Sequence, residues 1–173
     1  DPIELLRAID RNWWPAIGDG NGFEVTVVGY NGTENFPKPK TVPELKAFIR
    51  AYAIAKTGNA EGNNERHHHC NRATLKTWGN KQVNVGAMGL VADPESWSWP
   101  HASAEDEEVK HENLVALVRG PRMVVEYFVP NSQAPYVRGV FLADQDVDDF
   151  LRQTEPSLHD SWNTTQHLEG IDP

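Results

Sequence analysis

The chain has 173 residues, a hydrophobic fraction of 39% and a formal net charge of −9. This length and composition are typical of one globular domain spanning 1-173, and no run reaches the roughly 20 consecutive apolar residues of a membrane-spanning helix. Residues 1–82 carry a net charge of +2 and residues 83–173 a net charge of −11. This acidic balance argues against nucleic-acid binding by the whole surface, because phosphate neutralisation dominates that affinity.

A single cysteine, Cys70, excludes an internal disulfide framework. It favours a reducing compartment, so we expect a cytoplasmic protein without a membrane partner. The chain begins at Asp1 without a methionine, which predicts a fragment or module of a longer protein.

The first segment carries the signals of a helix start. Asp1 suits the N-cap, Pro2 the first helical position, and Glu4 the first turn. An apolar stripe then recurs at helical spacing, formed by Leu5, Leu6, Ile9 and Trp13. Because Pro15 removes a backbone donor, these signals predict a helix over 2-14.

Two further segments have helical patterns. Thr41 and Glu44 have the spacing of a capping box, and Gly58 suits the position that follows a last turn, so a helix is predicted over 42-57. Apolar residues at helical spacing behind an acidic first turn predict a short helix over 145-153.

Alternating or apolar runs predict the strands. Residues 23–30 alternate like a half-buried strand that stops at Asn31-Gly32. Residues 74–78 and 82–91 predict a hairpin, in which Gly86 and Gly89 indicate a bulge.

Three β-branched and aromatic runs between 113 and 143 are separated by Gly120-Pro121 and by the turn-rich segment 130–135, which predicts an antiparallel meander. The third run is apolar on both faces, which favours a place inside the sheet or under a helix. The predicted class is α+β, with a mainly antiparallel sheet of about five strands and a central meander (113-143). The helices over 2-14, 42-57 and 145-153 would pack on this sheet.

The tip of the first meander hairpin is a candidate binding site. If Gly120 and Pro121 are the two central residues of the turn, Arg119 lies opposite Arg122. Like charges directly opposite are destabilising unless a neighbour compensates them. Either an internal acid, such as Glu126 or a member of 104–108, or an external anion would compensate this pair.

Trp97 and Trp99 lie two residues apart in a predicted loop and would share one face of an extended segment. Tryptophan anchors dominate many protein interfaces, so both are candidate contacts with a protein partner or with flanking domains of the same chain. The alternative interpretation is that they close the end of the core.

The run His67-His68-His69-Cys70 is the most conspicuous cluster of metal-ligating residue types. His67, His69 and Cys70 are candidate zinc ligands, with His101 or His111 as later partners in the chain. The alternative is an exposed run that binds nothing, because the spacing matches no known zinc finger.

Basic and aromatic residues interleave at Arg72, Lys76 and Trp78 within residues 66–81. This combination is used in single-strand recognition and predicts a local nucleic-acid-binding face. The alternative is the solvated edge of a hairpin, which charged side chains protect against unwanted pairing.

The sequence contains no phosphate loop, dinucleotide-binding glycine pattern, nucleophile elbow or HExxH motif. We therefore expect a non-catalytic protein-interaction or regulatory module of a larger intracellular bacterial protein, with no cofactor. The alternative is a metal- or nucleic-acid-dependent binder or enzyme that uses the 67–70 cluster and the basic residues of 66-81.

Overall fold

The computed structural model describes residues 1–20, 23–58, 68–76, 82–92, 113–130 and 137–154, with the backbone alone at 68–76, 82, 83, 146 and 154. Its helices are α1 (Pro2–Gly18), α2 (Lys46–Thr57) and α3 (Gln145–Thr154). A small antiparallel sheet pairs β1 (Val27–Val28) with β2 (Glu34–Asn35). A larger sheet contains β3 (His68–Lys76), β4 (Gln82–Ala92), β5 (Asn113–Val118), β6 (Val124–Phe128) and β7 (Val137–Ala143). The predicted α+β class is confirmed.

Helix α1 begins as predicted, because the Asp1 carboxylate accepts a hydrogen bond of 2.9 Å from the Ile3 amide. The predicted end at Pro15 is wrong, since the helix continues through this proline to Gly18. Proline has no N–H to donate to the carbonyl four residues earlier, which is that of Arg11. The Tyr127 hydroxyl supplies the missing donor, at 2.6 Å from this carbonyl. A tertiary contact therefore allows the helix to continue.

The strand predicted over 23–30 is limited to Val27–Val28, which pairs with Glu34–Asn35. The turn at Asn31-Gly32 is confirmed, and Gly32 has a φ of +79°. This value lies in the left-handed region, which glycine adopts without steric cost. The hairpin therefore turns at the glycine that the sequence indicated.

The helix predicted over 42-57 begins later, at Lys46, after two short 3-10 turns at Pro39–Thr41 and Pro43–Leu45. The Thr41 hydroxyl donates to the Lys38 carbonyl at 2.8 Å, so it closes a turn and makes no capping box. The end of the helix is confirmed, because Gly58 adopts a φ of +74° and donates its N–H to the Ile54 carbonyl.

The larger sheet has the order β3-β4-β7-β5-β6 and is mixed. Strands β5 and β6 form the predicted hairpin, but the antiparallel meander over 113-143 is wrong in its third strand. Strand β7 runs parallel to β5 and antiparallel to β4. An apolar pattern on both faces is typical of a strand that is buried within a sheet, and β7 lies between β4 and β5. The predicted interior position of β7 is confirmed.

Strands β3 and β4 pair antiparallel as predicted, but β3 covers His68–Lys76 and begins before the predicted range of 74–78. A register shift between Ala73 and Thr74 leaves Val85 as the extra residue beside Gly86, where a bulge was predicted. Gly89 has a different role from the predicted bulge, because α2 crosses the sheet at this position. A Cβ atom on Gly89 would overlap the Ala51 carbonyl oxygen and lie 2.8 Å from the Ala55 amide nitrogen. The missing side chain therefore allows the helix backbone to approach β4 closely.

The core lies between α1, α2 and one face of the sheet. Its buried members are Trp14, Leu45, Phe48, Ala51, Tyr52, Ile54, Val91, Leu114, Ala116, Val118, Val124 and Val140. Helix α3 covers Gln145–Thr154, in agreement with the helix predicted over 145-153. Among the described residues, no helix combines the length and the apolar composition that a membrane crossing requires.

Candidate functional site

Asp19, the residue that follows α1, accepts three donors from two other parts of the fold. The Tyr52 hydroxyl and the Lys56 ammonium group each lie 2.9 Å from its carboxylate, and an Arg122 guanidinium nitrogen lies at 2.8 Å. Burial raises the pKa of Asp19, but the hydrogen bonds from Lys56 and Tyr52, with the charges of Lys56 and Arg122, lower it overall. The ionised carboxylate therefore joins α1, α2 and the β5–β6 loop.

The other arginine of the predicted pair faces a different acid. The side chain of Arg119 is 8% exposed, and its Nε lies 3.4 Å from an Asp148 carboxylate oxygen in α3. The same oxygen accepts the Gly120 N–H at 2.8 Å. Internal acids thus lie next to both arginines, as one of the two sequence interpretations proposed, but they are Asp148 and Asp19, which that interpretation did not name.

The predicted opposition of Arg119 and Arg122 is wrong in register. The Arg119 N–H donates to the Met123 carbonyl at 3.2 Å, and the Arg122 N–H donates to the Arg119 carbonyl at 2.7 Å. This pattern makes a three-residue loop in which Arg122 adopts a φ of +64°. A non-glycine residue in this region costs on the order of 1 kcal/mol. The side chain of this same residue forms the ion pair with Asp19.

Tyr127 of β6 joins α1 to the sheet, because its hydroxyl group both donates and accepts a hydrogen bond with α1. The hydroxyl donates to the Arg11 carbonyl at 2.6 Å and accepts the Trp14 indole N–H at 3.0 Å. Burial raises the pKa of this phenol, although the hydrogen bond from Trp14 and the charge of Arg11 oppose the shift. The neutral phenol therefore has a structural role and is not poised for proton transfer near neutral pH.

A surface groove of about 300 Å³ lies between the first turn of α1 and the β1–β2 hairpin. Its lining is formed by Asp1, Pro2, Leu5, Val27, Val28, Gly29 and Tyr30. Val27 is buried at 7% exposure, whereas Leu5, Val28 and Tyr30 are 53%, 63% and 107% exposed. We call this feature the α1–β1 groove. Its apolar side chains are available to a ligand.

The walls of the α1–β1 groove are held by local hydrogen bonds. Across the hairpin loop, the Gly29 N–H donates a hydrogen bond to the Thr33 carbonyl at 2.8 Å, and the Gly32 N–H donates one to the Gly29 carbonyl at 2.9 Å. The Asn31 side chain accepts the Thr33 N–H at 3.0 Å. On the opposite wall, the Asp1 cap orders the first turn of α1. A groove with preformed walls loses less conformational entropy when a ligand binds.

Several predicted site residues fall outside the described residues. These are Trp78, Trp97, Trp99 and His67. For His69, Cys70, Arg72 and Lys76 the structure describes the backbone, which runs in β3 opposite β4. In the part of the chain that is described with side chains, no group of three His, Cys, Asp or Glu residues could hold a metal ion. The zinc and nucleic-acid hypotheses stay predictions.

Comparison with protein-family models, with curated proteins and with solved structures gave no match. Function is therefore argued from the described geometry.

Sequence reasoning missed Asp19 and the α1–β1 groove. No motif surrounds Asp19, because its three donors come from positions 33 to 103 residues away in the chain. A signal for the groove was present, since Leu5 belongs to the apolar stripe of α1 and Val28 and Tyr30 alternate in the β1 segment. The periodicity marked these side chains as apolar, but it did not show that the fold leaves them exposed.

Proposed function

We propose that this chain is a non-catalytic protein-interaction module and that the α1–β1 groove is its contact surface. The observation that carries the proposal is the exposure of Leu5, Val28 and Tyr30 around one concavity. Exposed apolar side chains grouped in this way are typical of protein-binding surfaces. Aromatic residues such as Tyr30 are enriched among the side chains that dominate binding energy.

The shape of the groove supports a peptide segment as the bound element. A volume of about 300 Å³ is at the lower end of known ligand sites and suits one or two side chains. Buried Val27 also belongs to the lining and adds apolar surface to it. An apolar side chain of the partner would therefore enter the groove while its backbone follows the hairpin.

The arginines and tryptophans that the sequence predicts as contacts lie outside the α1–β1 groove or outside the described residues. Arg119 and Arg122 already face Asp148 and Asp19, so we assign them first to the support of the fold. Trp97 and Trp99 remain predicted contacts with a protein partner or with flanking domains. Membership of a larger intracellular bacterial protein also remains a prediction.

Selection of a phage-displayed library of random peptides on the purified chain tests the proposal. Leu5→Ser removes one wall of the groove, and Ile3→Ser is the matched control. Ile3 has a similar exposure of 59% in the same helical turn, but it does not line the groove. We expect selected peptides to bind Leu5→Ser about tenfold more weakly than wild type, and Ile3→Ser with unchanged affinity.

Two outcomes contradict the proposal. One is a selection that enriches no peptide, and the other is a set of peptides that bind wild type and Leu5→Ser equally well. Circular dichroism of both variants checks that the substitutions leave the fold unchanged.

A further inference from the structure

We infer that the α1–β1 groove takes a cationic peptide segment, in which an arginine or lysine neighbours an apolar anchor. This inference rests on the proposed function and adds the chemical class of the partner. It depends on the charges and the aromatic ring at the edge of the groove.

Carboxylates lie on both sides of the groove. Asp1 belongs to the lining on the helix side. On the hairpin side, Glu34 is the cross-strand partner of Val28, and directly paired residues of an antiparallel ladder project to the same face. Glu34 is exposed, so its carboxylate flanks the apolar surface that Val28 contributes.

No basic side chain belongs to the lining among the described residues. The nearest arginine along α1 is Arg7, two residues beyond Leu5. Two residues correspond to a rotation of about 200° around an α-helix, which places Arg7 on the opposite face. The Asp1 ammonium group lies 3.9 Å from a Glu4 carboxylate oxygen, so a second acid offsets this cation of the lining. With the carboxylates of Asp1 and Glu34, the charges at the groove sum to a negative value, although residues 1–82 as a whole carry a net charge of +2.

The exposed ring of Tyr30 adds a second attraction for a cation. Its relative exposure of 107% leaves the ring open to the solvent at the tip of the hairpin. An aromatic face attracts a guanidinium or ammonium group through the ring quadrupole. A basic residue beside the apolar anchor would thus meet both Tyr30 and Glu34.

The same charges disfavour other ligand classes. An acidic peptide, an anionic lipid surface or a nucleic-acid strand would bring negative charge toward Asp1 and Glu34. Like-charge contacts at an interface suppress wrong partners and slow their association. A positively charged protein segment is the class that satisfies both the apolar and the electrostatic features.

The amino-acid composition of the selected peptides tests the inference. Among peptides whose binding depends on Leu5, we expect enrichment of arginine and lysine next to an apolar residue. Their affinity, measured by fluorescence anisotropy, should fall about three- to tenfold in Glu34→Gln and decrease with added salt. Asp149→Asn is the control, because it removes one carboxylate from α3, away from the groove.

The outcomes separate the two proposals. Leu5-dependent peptides that lack basic residues, or that bind Glu34→Gln as well as wild type, would overturn the cationic class and leave the interaction function intact. An absence of Leu5-dependent peptides would overturn both. Equal weakening by Glu34→Gln and Asp149→Asn would show a general effect of net charge and would also overturn the assignment to the groove.

Discussion

The Arg122 guanidinium lies 2.8 Å from the Asp19 carboxylate, while the Arg122 backbone adopts a φ of +64°. The side chain of Asp19 is 13% exposed, so the pair is partly shielded from solvent. The loop therefore combines an unfavourable backbone conformation with a favourable ion pair at the same residue. The two contributions can be separated by substitution.

Arg122→Ala is expected to lower the free energy of unfolding by about 1–2 kcal/mol, because it removes the ion pair and retains the strain. Arg122→Gly also removes the ion pair, but it relieves the strain and should be about 1 kcal/mol more stable than Arg122→Ala. Urea unfolding measures both values. Equal stabilities of the two variants would show that the backbone conformation carries no strain.

Tyr127→Phe is expected to destabilise the fold by about 2–4 kcal/mol. It leaves the Arg11 carbonyl without its hydroxyl donor and removes the acceptor of the Trp14 indole, which is 1% exposed. Adding Pro15→Ala should recover part of this loss, because the alanine introduced there would offer a backbone N–H to the Arg11 carbonyl. A double-mutant cycle by urea unfolding measures the coupling between positions 127 and 15. Strictly additive effects would show that the Tyr127 hydroxyl group does not replace the backbone N–H that Pro15 lacks.

Gly89→Ala should destabilise the fold by more than about 3 kcal/mol, because the new Cβ atom would overlap the backbone of α2 at Ala51. Gly18→Ala is the matched control, since a Cβ atom there meets no atom within 4 Å. Thermal unfolding followed by circular dichroism compares the two. Similar melting temperatures for both variants would show that α2 does not approach β4 as closely as described.

Asp10 and Asp19 should affect the pH dependence of stability in opposite directions. Burial raises the pKa of Asp10, against the opposing effect of the Lys38 backbone hydrogen bond, and within the described residues its buried Oδ1 atom has no hydrogen-bond partner. The folded state then binds more protons than the unfolded state, so the contribution of Asp10 to stability falls as pH rises from about 4. The pKa of Asp19 is lowered, so its contribution is full above about pH 4 and is lost as pH falls through the folded pKa.

Unfolding free energies of Asp10→Asn and Asp19→Asn, measured between acidic and neutral pH, check these signs. Relative to wild type, Asp10→Asn should gain stability as pH rises, and Asp19→Asn should lose it. The same trend in both variants would contradict the assignment of opposite pKa shifts.

We expect the purified chain to retain no stoichiometric zinc after chelation and dialysis. The spacing of His67, His69 and Cys70 matches no known zinc finger, and an exposed histidine run more often binds no metal. Elemental analysis of wild type and His69→Ala measures the metal content. Stoichiometric zinc in wild type that is lost in His69→Ala would favour the metal-dependent alternative over the interaction module.

Much of the local structure could be predicted because its causes lie within a few residues of one another. The Asp1 cap, the left-handed residues Gly32 and Gly58, and the helix after Asp144 each depend on neighbours in sequence. The candidate site was harder to predict from the sequence. The apolar pattern at Leu5 and Val28 was visible, but its exposure depends on the packing of two distant elements.

By itself, the sequence determined the α+β class, the approximate positions of α1, α2 and α3, and the pairing of β5 with β6. Only the tertiary structure decided that α1 continues through Pro15, that β7 runs parallel to β5, and that Asp19 receives Tyr52, Lys56 and Arg122. Each of these features depends on a donor or an edge supplied from far along the chain. Local propensity is a property of neighbouring residues, whereas hydrogen-bond satisfaction and strand order are decided by the whole folded chain.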